Sequence, residues 1–146
     1  MVVRPLLQGE EPLLAELEAR LLPPGWRPRA TQAAVAFYAR SGHSFLAEEE
    51  GSPRGFVLAQ PLWQGDRATV VVTRLLAEDE ETALALLRAV EKSAYDAAAY
   101  EVALFVEPGG GLEAPAGELG FRPGPRLWTR VLGSRGARGE TRGVLE

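Results

Sequence analysis

The sequence predicts an α/β domain, a mixed β-sheet with helices on both faces. Three observations carry that reading. Ala68–Ala77 contains Val70-Val71-Val72, the strongest strand signal in the chain. A long amphipathic helix follows it, and a second apolar strand, Val102–Val106, follows the helix. Strand, long helix, strand is the right-handed crossover unit, so the Val70 and Val102 strands are expected to run parallel. Both are apolar at successive positions, as strands covered on both faces are.

The other elements follow in order. Val2–Leu6 is a short strand. Pro12 suits the first turn of a helix whose stripe is Leu13, Leu14, Leu17 and Leu21, and Pro23-Pro24-Gly25 ends it. Thr31 can cap a second helix running to about Arg40, with Gly42 as its stop. Ser44–Glu49, Gly55–Leu62 and Ala68–Ala77 are strands separated by tight turns at Gly51-Ser52-Pro53 and Gln64-Gly65-Asp66, hence an antiparallel meander. Asp79 is a natural cap for the long helix, which is expected to reach about Ala99 with Ala83, Leu87, Val90, Ala94 and Ala97 on one face. After Pro108-Gly109-Gly110-Gly111 comes an irregular segment, and then Leu127–Leu132 as a last strand. The domain is read as residues 1–132. Residues 133–146 are a Gly- and Arg-rich tail, expected to be flexible alone, and Val144 and Leu145 could anchor it on a neighbouring subunit.

Composition narrows the chemistry. The 146 residues are one domain's length, enough to bury roughly 68–70% of the unfolded chain's surface without disulfides or a structural metal. The chain has no cysteine, which excludes thiolate zinc, an iron–sulfur cluster and a thiol nucleophile, and its one histidine, His43, excludes a histidine-rich metal site. A net charge of −4 argues against general nucleic-acid binding. No run approaches the ~20 apolar residues of a membrane span, and no basic-then-apolar leader opens the chain, so a cytoplasmic protein is expected. Lys92 is the only lysine among sixteen basic residues, and proline is plentiful. A hot-living source and a GC-rich genome would both produce that bias.

Over about residues 2–132 this order of elements resembles the GNAT N-acetyltransferase superfamily. The segment Leu86–Ala94 looks like the middle of that family's central helix, and Leu119-Gly120-Phe121 before a strand looks like its C-terminal signature. The resemblance implies acetyl-CoA or another acyl-CoA between splayed parallel strands, with its diphosphate on the amides opening the central helix, where free N–H groups and the helix dipole favour anions. It further implies direct attack on the thioester by a small-molecule or peptide amine. By this resemblance the backbone at Thr73 and Leu75 meets pantetheine, and the phosphate loop falls on Glu78–Ala83, with Glu81, Thr82 and Ala83 at its end.

That loop reads Glu-Asp-Glu-Glu-Thr-Ala, and only Ala83 fits the family's basic-x-x-Gly-x-Gly/Ala pattern. The acidic run is either an ordinary helix start favoured by the dipole or a repurposed ligand site, with Arg74 and Arg88 as compensating cations. The family's Asn and Tyr positions fall on Gly109 and Ala116, and the glycines with Pro115 disfavour a helix there. Glu107, at the C-terminal end of the second parallel strand, and His43 are the acid/base candidates. Trp26, Phe37 and Tyr38 can line an acceptor pocket, while Glu48-Glu49-Glu50 reads as a solvated hairpin end. Two functions remain open: an acyl-CoA-dependent N-acyltransferase, or a GNAT-shaped binding or regulatory module without catalysis, either of them compatible with a homodimer.

Overall fold

A computed structural model describes residues 1–135 and 141–142 of the chain. Five strands form the main sheet: β1 (Val2–Pro5), β2 (Phe45–Glu49), β3 (Ser52–Gln64), β4 (Arg67–Ala77) and β5 (Glu101–Leu104). Their order in space is their order in sequence. The first four pair antiparallel, and β4 and β5 pair parallel with Val70 directly opposite Val102, as expected.

The helices are α1 (Glu11–Leu21), α2 (Gln32–Ser41), α3 (Glu80–Asp96) and α4 (Glu113–Glu118). Local chemistry sets most boundaries. Pro12 stands in the first turn of α1. The Thr31 side chain accepts from the Ala34 amide at 3.2 Å, and Gly42, at φ 81°, lets the chain leave α2 through the left-handed region. The first tight turn is centred on Glu50-Gly51, one residue ahead of expectation, so that Glu49 faces Ser52. The long helix stops at Asp96, short of Ala99, and Ala97 is therefore exposed.

The sheet separates two cores. Leu14, Leu17 and Val35 of α1 and α2 pack on Leu46, Phe56, Leu58 and Leu76. Leu86, Leu87, Val90 and Ala94 of α3 cover Val57, Val70, Val72 and Leu75 on the other face. Each such side chain stabilises by about 1.5–3 kcal/mol relative to exposure. In β4 the inward residues go from Val72 to Leu75, a step of three. A bulge explains it: Leu58 faces Arg74 while Ala59 faces Val72, leaving Thr73 extra. Gly55 permits the tightest approach, because a Cβ there would lie 2.6 Å from the Leu76 carbonyl oxygen and 3.1 Å from Thr82 Cγ2.

Two expectations need correction. Leu127–Leu132 forms no strand, and Leu127, Trp128, Val131 and Leu132 are exposed. With no neighbour beyond it among the described residues, β5 is an edge, and its apolar side chains are only half-buried. A six-residue α4 does form, because Pro115 falls in its first turn, where a missing N–H costs nothing. Ser134–Arg135 (β6) and Thr141–Arg142 (β7) pair with each other. Val144 and Leu145 lie outside the described residues.

Candidate functional site

The bulge at Thr73 lies where β4 and β5 part. The parallel register ends at Val72 opposite Leu104, and a last bond runs from the Phe105 amide to the Val72 carbonyl at 3.3 Å. The chain then turns at Glu107–Gly110. On its other edge β4 stays bonded to β3 as far as the Glu78 amide, which donates to the Arg54 carbonyl at 3.0 Å. By strand alternation the N–H and C=O of Leu75 point away from β3, into the gap that β5 has left. The peptide groups of Leu75 are thus turned toward the side from which β5 has departed, although the residue itself is only 5% exposed. Thr73 is already engaged: its carbonyl accepts from Arg29 Nη1 at 2.7 Å, and its hydroxyl is 2.8 Å from Tyr38 Oη.

At the parting lies a cavity of about 480 Å³, lined by Trp26, Arg27, Arg29, Arg74 and Glu107 among others. Trp26 and Glu107 meet there as neighbours of one space. Phe37 stacks edge-on against Tyr38, whose hydroxyl reaches Thr73. The α1–α2 loop is clamped over β4 by a buried network that no sequence motif announces. The Glu18 carboxylate accepts from the Arg29 and Ala30 amides at 2.8 and 2.9 Å and from Arg74 Nη1 at 2.9 Å. Arg74 also donates to the Arg27 carbonyl at 2.7 Å, and its guanidinium lies 5.6 Å from the Trp26 ring. Glu18 was detectable, since it stands four residues after Leu14 on the apolar stripe of α1, where a lone carboxylate requires a partner.

The start of α3 departs from a phosphate cradle. The Asp79 carboxylate accepts from the Thr82 amide at 2.8 Å, so an anion of the chain itself caps the helix. Hydrogen bonds from Thr82 hold that carboxyl below its ordinary range, and Arg54 adds to the effect. Thr82 and Ala83 are buried, while Glu81 faces solvent. Glu78 is paired with Arg20 at 2.5 Å and Arg54 at 3.1 Å. These two arginines, not Arg74 and Arg88, pair with Glu78 at the head of the acidic run. Arg74 is tied to Glu18, and Arg88 is exposed two turns along the helix. At the thioester end an acyl-CoA would meet the outward-turned backbone of Leu75, and at the diphosphate end the residues do not fit it, because the chain's own carboxylate caps the helix.

His43 is elsewhere. Its ring is buried on the α3 side, with Nδ1 2.9 Å from Ser93 Oγ, and burial lowers its pKa below the usual imidazole value. It has no part in the cavity that holds Glu107. The family's Asn and Tyr positions carry neither side chain: Gly109 is in a turn and Ala116 is buried in α4. Glu48 and Glu49 are ion-paired, with Arg4 at 3.0 Å and Arg54 at 3.1 Å, so the hairpin end is less purely solvated than expected. Among the described residues no cluster of three or more metal-ligating side chains occurs, and no helix is long and apolar enough to cross a membrane.

Parallel strands that part beside a bulge, below a capped central helix, define a GNAT fold, and solved structures agree. A putative acetyltransferase from Agrobacterium tumefaciens str. C58 is similar at a TM-score of 0.71 and 19% identity, over 90% of this chain and 99% of that one. The aminoglycoside acetyltransferase AAC(6')-Iy, solved with the bisubstrate analogue CoA-S-monomethyl-acetylneamine, matches at 0.71 and 19%, over 89% and 96%. Much nearer in sequence is TTHA1254 from Thermus thermophilus, at 47% identity and a TM-score of 0.81, over 92% of this chain and all of that one. The chain belongs to the family described as "Protein of unknown function (DUF1999)", whose model matches residues 13–142. No curated protein matches it in sequence.

Proposed function

We propose that this chain is an acyl-CoA-dependent N-acyltransferase acting on a small-molecule or peptide amine. One observation carries the reading: β4 and β5 part after Val72 and Leu104, and the space beyond the parting is lined by Trp26, Arg74 and Glu107, with the peptide groups of Leu75 turned from β3 by strand alternation. A bound acyl-CoA would supply an acyl group activated as a thioester. The chain's residues do the rest. Leu75 offers an N–H and a C=O to an added strand-like arm. Trp26 gives the acceptor an apolar wall, and Glu107 takes the proton of the incoming amine. The cap by Asp79 favours a second reading, a GNAT-shaped binding or regulatory module, because it sets a carboxylate where a diphosphate would lie.

Calorimetry with acetyl-CoA at moderate salt, with CoA as control, separates the two. Micromolar binding supports the enzyme. No heat with either compound at millimolar concentration removes it and leaves the module. Under the first reading Asp79→Asn keeps a cap and removes a like charge worth about 1 kcal/mol, so CoA should bind about fivefold tighter. Once an acceptor is found, Glu107→Gln should slow acyl transfer by about 10²-fold with acetyl-CoA affinity unchanged.

A further inference from the structure

The cavity at the parting of β4 and β5 has a charge pattern of its own. Three guanidinium groups and one carboxylate line it: those of Arg27, Arg29, Arg74 and Glu107. Arg74 is buried, and Glu18 balances its charge at 2.9 Å. The other three groups are not balanced. Arg29 donates to the neutral Thr73 carbonyl, and among the described residues neither Arg27 nor Arg29 has a carboxylate partner. Glu107 has no cationic partner among them either. Two unpaired cations and one unpaired anion thus share one space, on a chain whose net charge is −4. The walls of that space meet. Trp26 lies against the turn after β5 because Gly110 has no Cβ, which would stand 3.1 Å from Trp26 Cη2. A volume of about 480 Å³ is that of a site for a small molecule.

We propose that this cavity binds a small amine that also carries a carboxylate, of the size and chemistry of a free amino acid. Its carboxylate lies on Arg27 and Arg29, and its ammonium lies on Glu107. A guanidinium presents paired N–H donors that match a carboxylate, and such charge-assisted bonds are the strong ones. Two cations against one anion favour a ligand of net negative charge, so an acidic amino acid should bind best. A polyamine is disfavoured, because its second ammonium would face two guanidinium groups. A phosphate would suit the arginines but would leave Glu107 opposed by a like charge. Trp26 gives the carbon skeleton an apolar wall. As the acceptor of an acyl group this ligand rests on the function proposed above; as a ligand it does not.

Calorimetry without acyl-CoA reads the binding directly. The probes are L-glutamate, glycine and L-phenylalanine, with glutarate as the acid that lacks an amine and 1,4-diaminobutane as the amine that lacks a carboxylate. L-Glutamate should bind best, glutarate at least about fivefold more weakly, and the diamine should give no heat. Arg27→Gln should weaken L-glutamate at least about fivefold. The Arg27 guanidinium bonds to nothing else among the described residues, so this variant should fold as the parent does. Glu107→Gln should weaken L-glutamate and strengthen glutarate, a change of opposite sign that damage to the fold would not produce. Three results overturn the proposal: no heat from any of the three amino acids at millimolar concentration, a diamine that binds as tightly as L-glutamate, or an affinity for L-glutamate that neither Arg27→Gln nor Arg29→Gln changes. The two readings fail separately. Binding of L-glutamate without binding of acetyl-CoA removes acyl transfer and leaves the ligand. Binding of acetyl-CoA with acetylation of the diamine in preference to L-glutamate removes the ligand and leaves acyl transfer.

Discussion

Glu18 is 2% exposed and carries a carboxylate, which only its partners make tolerable. Removing one member of such a pair leaves a charge buried and alone. Glu18→Ala should therefore cost about 3–5 kcal/mol in chemical denaturation. The pair of changes Glu18→Leu and Arg74→Met should recover only part of that loss, since it removes both charges but leaves the Arg29 and Ala30 amides and the Arg27 carbonyl without these partners. If the single change is mild, the network is not what clamps the α1–α2 loop. His43 makes a different prediction. Burial lowers its pKa, so the folded state resists a proton that the unfolded state accepts. Its contribution to stability is complete above the ordinary imidazole value near 6.5 and is lost as pH falls below it. The denaturation midpoint should drop from pH 7.5 to pH 5.5, and His43→Gln should drop less; equal slopes would discard the idea. Candidate residues were legible in the sequence as types but not as a constellation. Glu107 and Trp26 share a cavity, whereas His43 belongs to α3, because one residue can be assigned to an element from its neighbours but not to a face of the sheet.

Elements were legible where local chemistry decides them. Thr31, Asp79 and Gly42 mark helix ends by mechanisms that act within four residues, and each does so in the structure. Leu127–Leu132 differs from expectation for a physical reason: strand propensity is a fit to a neighbouring strand, and the segment has none among the described residues. The bulge at Thr73 could not be read either, since it depends on which residue of β3 lies opposite. Gly55 joins two elements. Its missing Cβ lets β3 lie against the Leu76 carbonyl and the side chain of Thr82 at the head of α3. A backbone atom cannot move aside, so Gly55→Ala should destabilise by about 1–3 kcal/mol. Thermal melts check this, and an unchanged midpoint would show that the strands have slack.

The whole fold was legible because its strands pair in the order they occur, with one crossover that chirality restricts to a single hand. The site was less legible because the fold is retained while the start of α3 reads Glu-Asp-Glu-Glu-Thr-Ala in place of a basic, glycine-containing loop. The sequential order of the sheet has a further consequence for a chain made from its N-terminus. Each new strand docks on the one just finished, so the sheet grows in one direction behind the ribosome. β5 is the last strand of this sheet to be made, and among the described residues its outer edge has no partner. On a polysome, neighbouring nascent chains would present the same edge before the residues that follow it have emerged. Crowding there is a hazard to the newborn chain, because an unpaired edge is a template for another strand.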